Sequence, residues 1–165
     1  MLSGESAKGK YPAESVKFMN EIILSAERYA SSGALGHPEQ HSFLASPKDR
    51  DSAIARAAVT ASHERPDCDA ILVLTHHGTM PRLIAAFRPH VPIYAFCPMP
   101  KIGRQLQLYR GVHPIVGVDL GPTEAVEMAK DLGYLKSGSE VVIVSMDDDK
   151  HSGERSGTMK LVTVP

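Results

Sequence analysis

Tryptophan is absent and only 5% of the residues are aromatic. That scarcity argues against the stacking platforms that hold single-stranded nucleic acid. Cysteine is nearly missing as well: Cys68 and Cys97 stand in different segments without metal-binding spacing. They are expected to be reduced thiols of a cytoplasmic protein. No apolar run approaches the length of a membrane span, and Met1-Leu2-Ser3-Gly4-Glu5 lacks the marks of a signal peptide. Neither sign of charge prevails, since 18 basic and 19 acidic residues leave a net charge of −1. Neither nucleic acid nor a membrane surface is therefore an expected partner. Walker loops, Gly-x-Gly-x-x-Gly turns and Gly-x-Ser-x-Gly elbows are missing too.

What remains is a chain of 165 residues, 42% hydrophobic, enough to bury the core of one domain of ordinary size. The stretch from Ala70 to Arg88 organises it. Ile71 to Leu74 is a short apolar run suited to a buried parallel strand. A polar turn follows, Thr75-His76-His77-Gly78-Thr79, and then an amphipathic segment with Leu83, Ile84 and Phe87. A strand–turn–helix unit aims backbone N–H groups and the positive end of a helix dipole at the carboxyl edge of a sheet, where an anion is favoured. Two hydroxyls and two imidazoles in the turn suit phosphate or carboxylate, and protonated imidazoles favour an anion below about pH 6.5. A plain βα connection, with a Thr N-cap and Pro81 in the first helical turn, accounts for the same residues.

Taken in order, Met1 to Glu5 reads as the end of a buried strand running into a polar turn. From Pro12 a helical period appears through Val16, Met19, Ile22, Ile23, Ala26 and Tyr29, closed by Ser31-Ser32-Gly33. That apolar face is expected to seek cover. Residues 33–48 are polar and broken by Gly36, Pro38 and Pro47, which predicts a linker. His37 and His41 are four apart there, but Pro38 interrupts them and no third ligand is near, so a solvated loop is the better reading than zinc. A second helix spans Asp51 to Glu64 with a small-residue face. Beyond the central strand come a strand at Ile93 to Phe96, a helix at Lys101 to Tyr109, and a strand at Ile115 to Val118. A helix from Pro122 to Leu132, a strand at Val141 to Val144 and a last strand at Met159 to Val164 complete the series.

This alternation predicts an α/β fold: a mostly parallel five-stranded sheet with helices on both faces and the last strand antiparallel. Ligands in such sheets sit off the carboxyl ends of the strands. The candidate segments are therefore Thr75 to Thr79, Cys97 to Met99, and the loop Asp147 to Gly157. Three consecutive aspartates, Asp147 to Asp149, are spaced wrongly for an oxygen cage, so no metal ligand is assigned. Lys150, Ser152, Gly153 and Arg155 are phosphate-cradling residue types, although loops of this composition are common without being sites. No nucleophile–base pair is evident and no catalytic residue is assigned, which disfavours a stand-alone enzyme.

Several segments resemble pyruvate kinase. Met1-Leu2-Ser3-Gly4-Glu5-Ser6-Ala7-Lys8-Gly9-Lys10-Tyr11-Pro12 is similar to the stretch that closes that family's catalytic barrel and enters its last barrel helix. The resemblance continues through Asp51 to Ala58, Ile71 to Thr75, Tyr94, Arg104-Gln105-Leu106, Tyr109-Arg110-Gly111-Val112-His113-Pro114, Gly138 to Ser145 and Ser156-Gly157-Thr158-Met159. It implies three parts: residues 1–32 as a barrel remnant (final strand end and helix), 33–48 as a linker, and 49–165 as the carboxyl-terminal α/β regulatory domain. In the family a phosphoryl group passes from phosphoenolpyruvate to ADP with magnesium, potassium and a lysine on earlier barrel strands and a lid domain. None of that machinery is matched here, which predicts no cofactor in this chain and no turnover by it alone. Lys8 corresponds to a position near the nucleotide.

The resemblance further implies a phosphorylated effector. Thr75, His76, His77, Gly78 and Thr79 match the turn that wraps one phosphate, and Lys150, Ser152, Gly153 and Arg155 lie in the loop that closes over a second. The chain departs from the pattern at His76, His77, Met80 and Pro81, and at the three aspartates, which would repel a bisphosphate. Other subunits of a homo-oligomer, a homotetramer in the family, are implied partners through the strand Lys160 to Val164. The alternative is a purely structural oligomerisation domain without an effector site.

Overall fold

The computed structural model describes residues 2–31, 50–148 and 155–165. Two compact units, Met1–Gln40 and His41–Pro165, divide the chain. In the first, Gly4–Ala7 (α1) forms a single helical turn and Pro12–Ser31 (α2) a long helix. The expected strand end is not formed: Ser3 O accepts from Ala7 N–H and Gly4 O from Lys8 N–H. A helical turn satisfies these groups locally, whereas a strand would need a neighbour to pair with. Pro12 opens α2 as the sequence predicts, and Glu14 in the first turn complements the helix dipole. Val16, Phe18, Ile22, Ile23, Leu24 and Tyr29 are all exposed.

The second unit opens with Arg50–Glu64 (α3), which ends where Pro66 forbids further helix. Then follow Cys68–Leu74 (β1), Thr79–Ala86 (α4), Ile93–Cys97 (β2), Pro100–Leu106 (α5), Val112–Val116 (β3), Pro122–Asp131 (α6), Glu140–Asp148 (β4) and Arg155–Thr163 (β5). The sheet order is β3-β2-β1-β4-β5, parallel except for the β4–β5 pair. This is the predicted architecture.

Period-two alternation sorts the strand residues onto two faces. Ile71, Val73, Ile93, Ala95, Val142 and Val144 pack with Ala55, Ala58 and Val59 of α3, Ile84 of α4 and Leu106 of α5. Ala70, Leu72, Phe96, Val141 and Ile143 pack with Ala125, Val126 and Ala129 of α6. Each fully buried aliphatic side chain contributes about 1.5–3 kcal/mol relative to exposure. Arg65, just past α3, makes a two-pronged ion pair with Glu140 at the start of β4. That hydrogen-bonded contact holds the Glu140 carboxyl below its ordinary value and raises Arg65.

Two strand boundaries differ from the sequence reading. β3 begins three residues earlier than predicted, at Val112, and includes Pro114. Ile93 N–H donates to Gly111 O and Gly117 N–H to Cys97 O. Parity then turns the backbone of Val112, Pro114 and Val116 outward, where a missing N–H costs no ladder bond. Val112 N–H is already taken by Tyr109 O. The hairpin is also longer than predicted, because Asp147 pairs with Ser156 and Asp148 with Arg155. Main-chain pairing is indifferent to the polar side chains that suggested a loop.

Candidate functional site

β1 delivers its carboxyl end into the predicted turn. Thr75 is nearly buried; its N–H donates to Phe96 O of β2, and its Oγ1 accepts from Gly78 N–H at 2.9 Å. The hydroxyl thus fastens the turn on itself. Gly78 has φ of 74°, and a Cβ there would meet Ile102 of α5 within 2.9 Å. A side chain at this position would be strained twice over, by backbone and by packing.

A cavity of about 410 Å³ opens over the carboxyl ends of the strands. Leu74, Phe96, Val118, Leu120 and Met146 supply apolar walls, and Thr75, His76, Asp119, Ser145, Thr158 and Lys160 the polar ones. An apolar pocket with a few convergent polar groups is the general form of a small-molecule site. His76 Nε2 lies 3.2 Å from Asp119 Oδ1, tying the turn after β1 to the connection after β3. Ser145 Oγ and Thr158 Oγ1 are 2.7 Å apart across the β4–β5 pair. Lys160 comes from β5, two residues beyond Thr158 and so on the same face of the strand.

The structure therefore divides the sequence-predicted candidates. Thr75 and His76 line the cavity, with Pro98 from the predicted Cys97 to Met99 segment. His77, Gly78 and Thr79 are not among its lining residues; they lead into α4, which packs on the opposite face of the sheet from α6. Arg155 is the first residue of β5. Lys150, Ser152, Gly153 and Asp149 lie outside the described residues, as do His37 and His41. Lys8 closes α1 in the other unit.

Sequence reasoning missed Ser145, Thr158, Lys160 and Asp119. Ser145 was recoverable as the residue after Val144 at a strand's carboxyl end. Thr158 and Lys160 depended on the hairpin register, which composition does not disclose.

Among the described residues no cluster of three or more histidine, cysteine or acidic side chains is placed to hold a metal ion. Cys68 and Cys97 are free and buried, and burial pushes both thiols up from their ordinary value, against thiolate chemistry. No described helix is long and apolar enough to cross a membrane.

The comparisons with known proteins agree with this fold. Residues 52–162 match the family model described as pyruvate kinase, alpha/beta domain. Pyruvate kinase 1 of Saccharomyces cerevisiae is 34% identical over 99% of this chain and 34% of its own length. Pyruvate kinase of Clostridium acetobutylicum is 32% identical over 88% of this chain and 31% of its own. A solved structure titled Cryptosporidium parvum pyruvate kinase in complex with ADP superposes with a TM-score of 0.76 at 30% identity, covering all of this chain and 33% of that one. The chain spans about a third of the length of the relatives it matches. With its family model covering β1 through most of β5, it belongs to the pyruvate kinase family, as the α/β domain with a short preceding helical unit.

Proposed function

We propose that this chain is the effector-binding and subunit-assembly portion of a pyruvate kinase, and that it does not transfer a phosphoryl group unaided. The cavity over the strand ends carries the reading. It combines hydroxyls (Thr75, Ser145, Thr158), an imidazole and one ammonium with apolar walls, a set suited to a phosphorylated metabolite. Lys160 supplies a cation and Asp119 opposes a second anionic group, which favours one phosphate over two. Phosphoryl transfer needs held metal ions and a positioned lysine, and the resemblance places those on barrel strands and a lid that this chain does not match.

Calorimetric titration with sugar monophosphates and bisphosphates tests the reading. A monophosphate is expected to bind most tightly, and Lys160→Ala to weaken it about tenfold, the loss of one charge-assisted contact. Absence of heat with every compound would overturn effector binding. A second reading, pure assembly through β5, draws on the half-exposed Met159 and Leu161 of that edge strand. It expects a dimer by sedimentation that ignores phosphate compounds and is weakened by Leu161→Lys.

A further inference from the structure

The two flanks of the cavity differ in the sign of their charge. Asp119 is the one carboxylate and Lys160 the one ammonium among the described lining residues. They enter from different places, Asp119 from the connection between β3 and α6, and Lys160 from β5. His76 ties the first of these to the end of β1. Its Nε2 lies 3.2 Å from Asp119 Oδ1, and since a carboxylate can only accept, the imidazole N–H donates. One such bond leaves most of the carboxylate's lone pairs open, and Asp119 is 72% exposed. The start of α6 carries the same sign. Glu124 folds back over Gly121, its carboxylate standing where a Gly121 side chain would begin. The positive end of that helix dipole is therefore already served by an anion of its own chain.

The opposite flank suits an anion. Ser145 Oγ and Thr158 Oγ1 meet at 2.7 Å, and Lys160 follows Thr158 on the same face of β5. β1 and β5 stand two places apart in the sheet order, a separation of about 10 Å. Asp119 and Lys160 form no ion pair with one another. A ligand touching both flanks is therefore matched best by opposite charges several bonds apart, with Leu74, Phe96 and Met146 covering the carbon skeleton between them. We propose, on the basis of the effector reading of this cavity, that its ligand is a phosphate monoester that also carries an ammonium group, the class of a phosphorylated amino sugar. The phosphate lies against Lys160, Ser145 and Thr158. The ammonium donates to Asp119, which His76 holds in place. A neutral sugar phosphate would set only a hydroxyl against Asp119, a weaker donor than a charged one. A bisphosphate would set an anion against it.

The test is calorimetric titration of the full 165-residue protein with glucose 6-phosphate, glucosamine 6-phosphate and N-acetylglucosamine 6-phosphate. The three probes share the phosphate and differ at one carbon, which bears a hydroxyl, an ammonium or a neutral amide. Glucosamine 6-phosphate is expected to bind about fivefold tighter than glucose 6-phosphate, the upper range of an ion pair open to solvent. Its acetylated form should lose that advantage. Asp119→Asn, an isosteric change at an exposed position, should bring the glucosamine and glucose compounds to the same affinity. Equal affinity of those two for the unaltered protein would overturn the ammonium site and leave the phosphate site standing. A preference for the amine that survives in Asp119→Asn would also overturn it, by placing the ammonium elsewhere. Heat from none of the three would overturn the effector reading, and the ligand class with it.

Discussion

The two units of this chain treat hydrophobic residues in opposite ways. In α2 the pattern of an amphipathic helix is complete, yet Val16, Ile22, Ile23 and Leu24 remain about half exposed. In β1, with the same residue types, Ile71, Leu72 and Val73 are wholly buried. Periodicity in a sequence thus specifies which face of an element is to be covered, and says nothing about whether the cover is present. The covered strand owes its burial to residues about 10 to 90 positions away in the chain.

The sharpest way to break this contrast is a matched pair of truncations. Leu72→Ala is expected to cost about 2–5 kcal/mol in denaturant unfolding, while Ile22→Ala should stay within about 0.5 kcal/mol. Equal losses would mean that α2 is covered in solution. A smaller effect is expected at α5, where Gly103 lies against Val116 of β3 and near Cys97. Gly103→Ala forces a stiff β-branched neighbour aside, and should cost about 1–3 kcal/mol. Unchanged stability there would show that the α5–β3 contact yields freely.

The smallest effect concerns protons. Burial, and then the neighbouring His63, lower His90 from its ordinary 6.5. The unfolded chain therefore takes up a proton that the folded chain resists, so this contribution is intact above about pH 6.5 and fades as the pH falls below it. The unfolding midpoint should drop between pH 7.5 and 5.5, and drop less in His90→Gln. An identical pH dependence in both proteins would remove His90 from the account.

Much of the second unit was legible because its signals are local. Apolar runs bounded by Gly and Pro marked β1, β2 and β4, and Pro122 with Gly133 bracketed α6. The errors came where a partner decides. Pro114 argues against a strand until the sheet order shows β3 at the edge with that backbone position facing out. Asp147 and Asp148 look like loop until Ser156 and Arg155 pair with them. At the site, Thr75 and His76 were visible as a turn after a strand. Lys160 and Asp119 were not, since they reach the cavity from opposite flanks of the sheet. The His63–His90 contact was wholly invisible, a meeting of two elements with no shared motif.

The outer side of β3 has a consequence for how copies of this chain can join. With Pro114 lacking a donor and Val112 already engaged, Val116 alone offers an N–H along that border. The sheet therefore has one blunt end and, at β5, one that can accept another strand. Two copies meeting β5 to β5 would present only blunt ends to the solvent, so such growth stops at a pair instead of running on into a fibre.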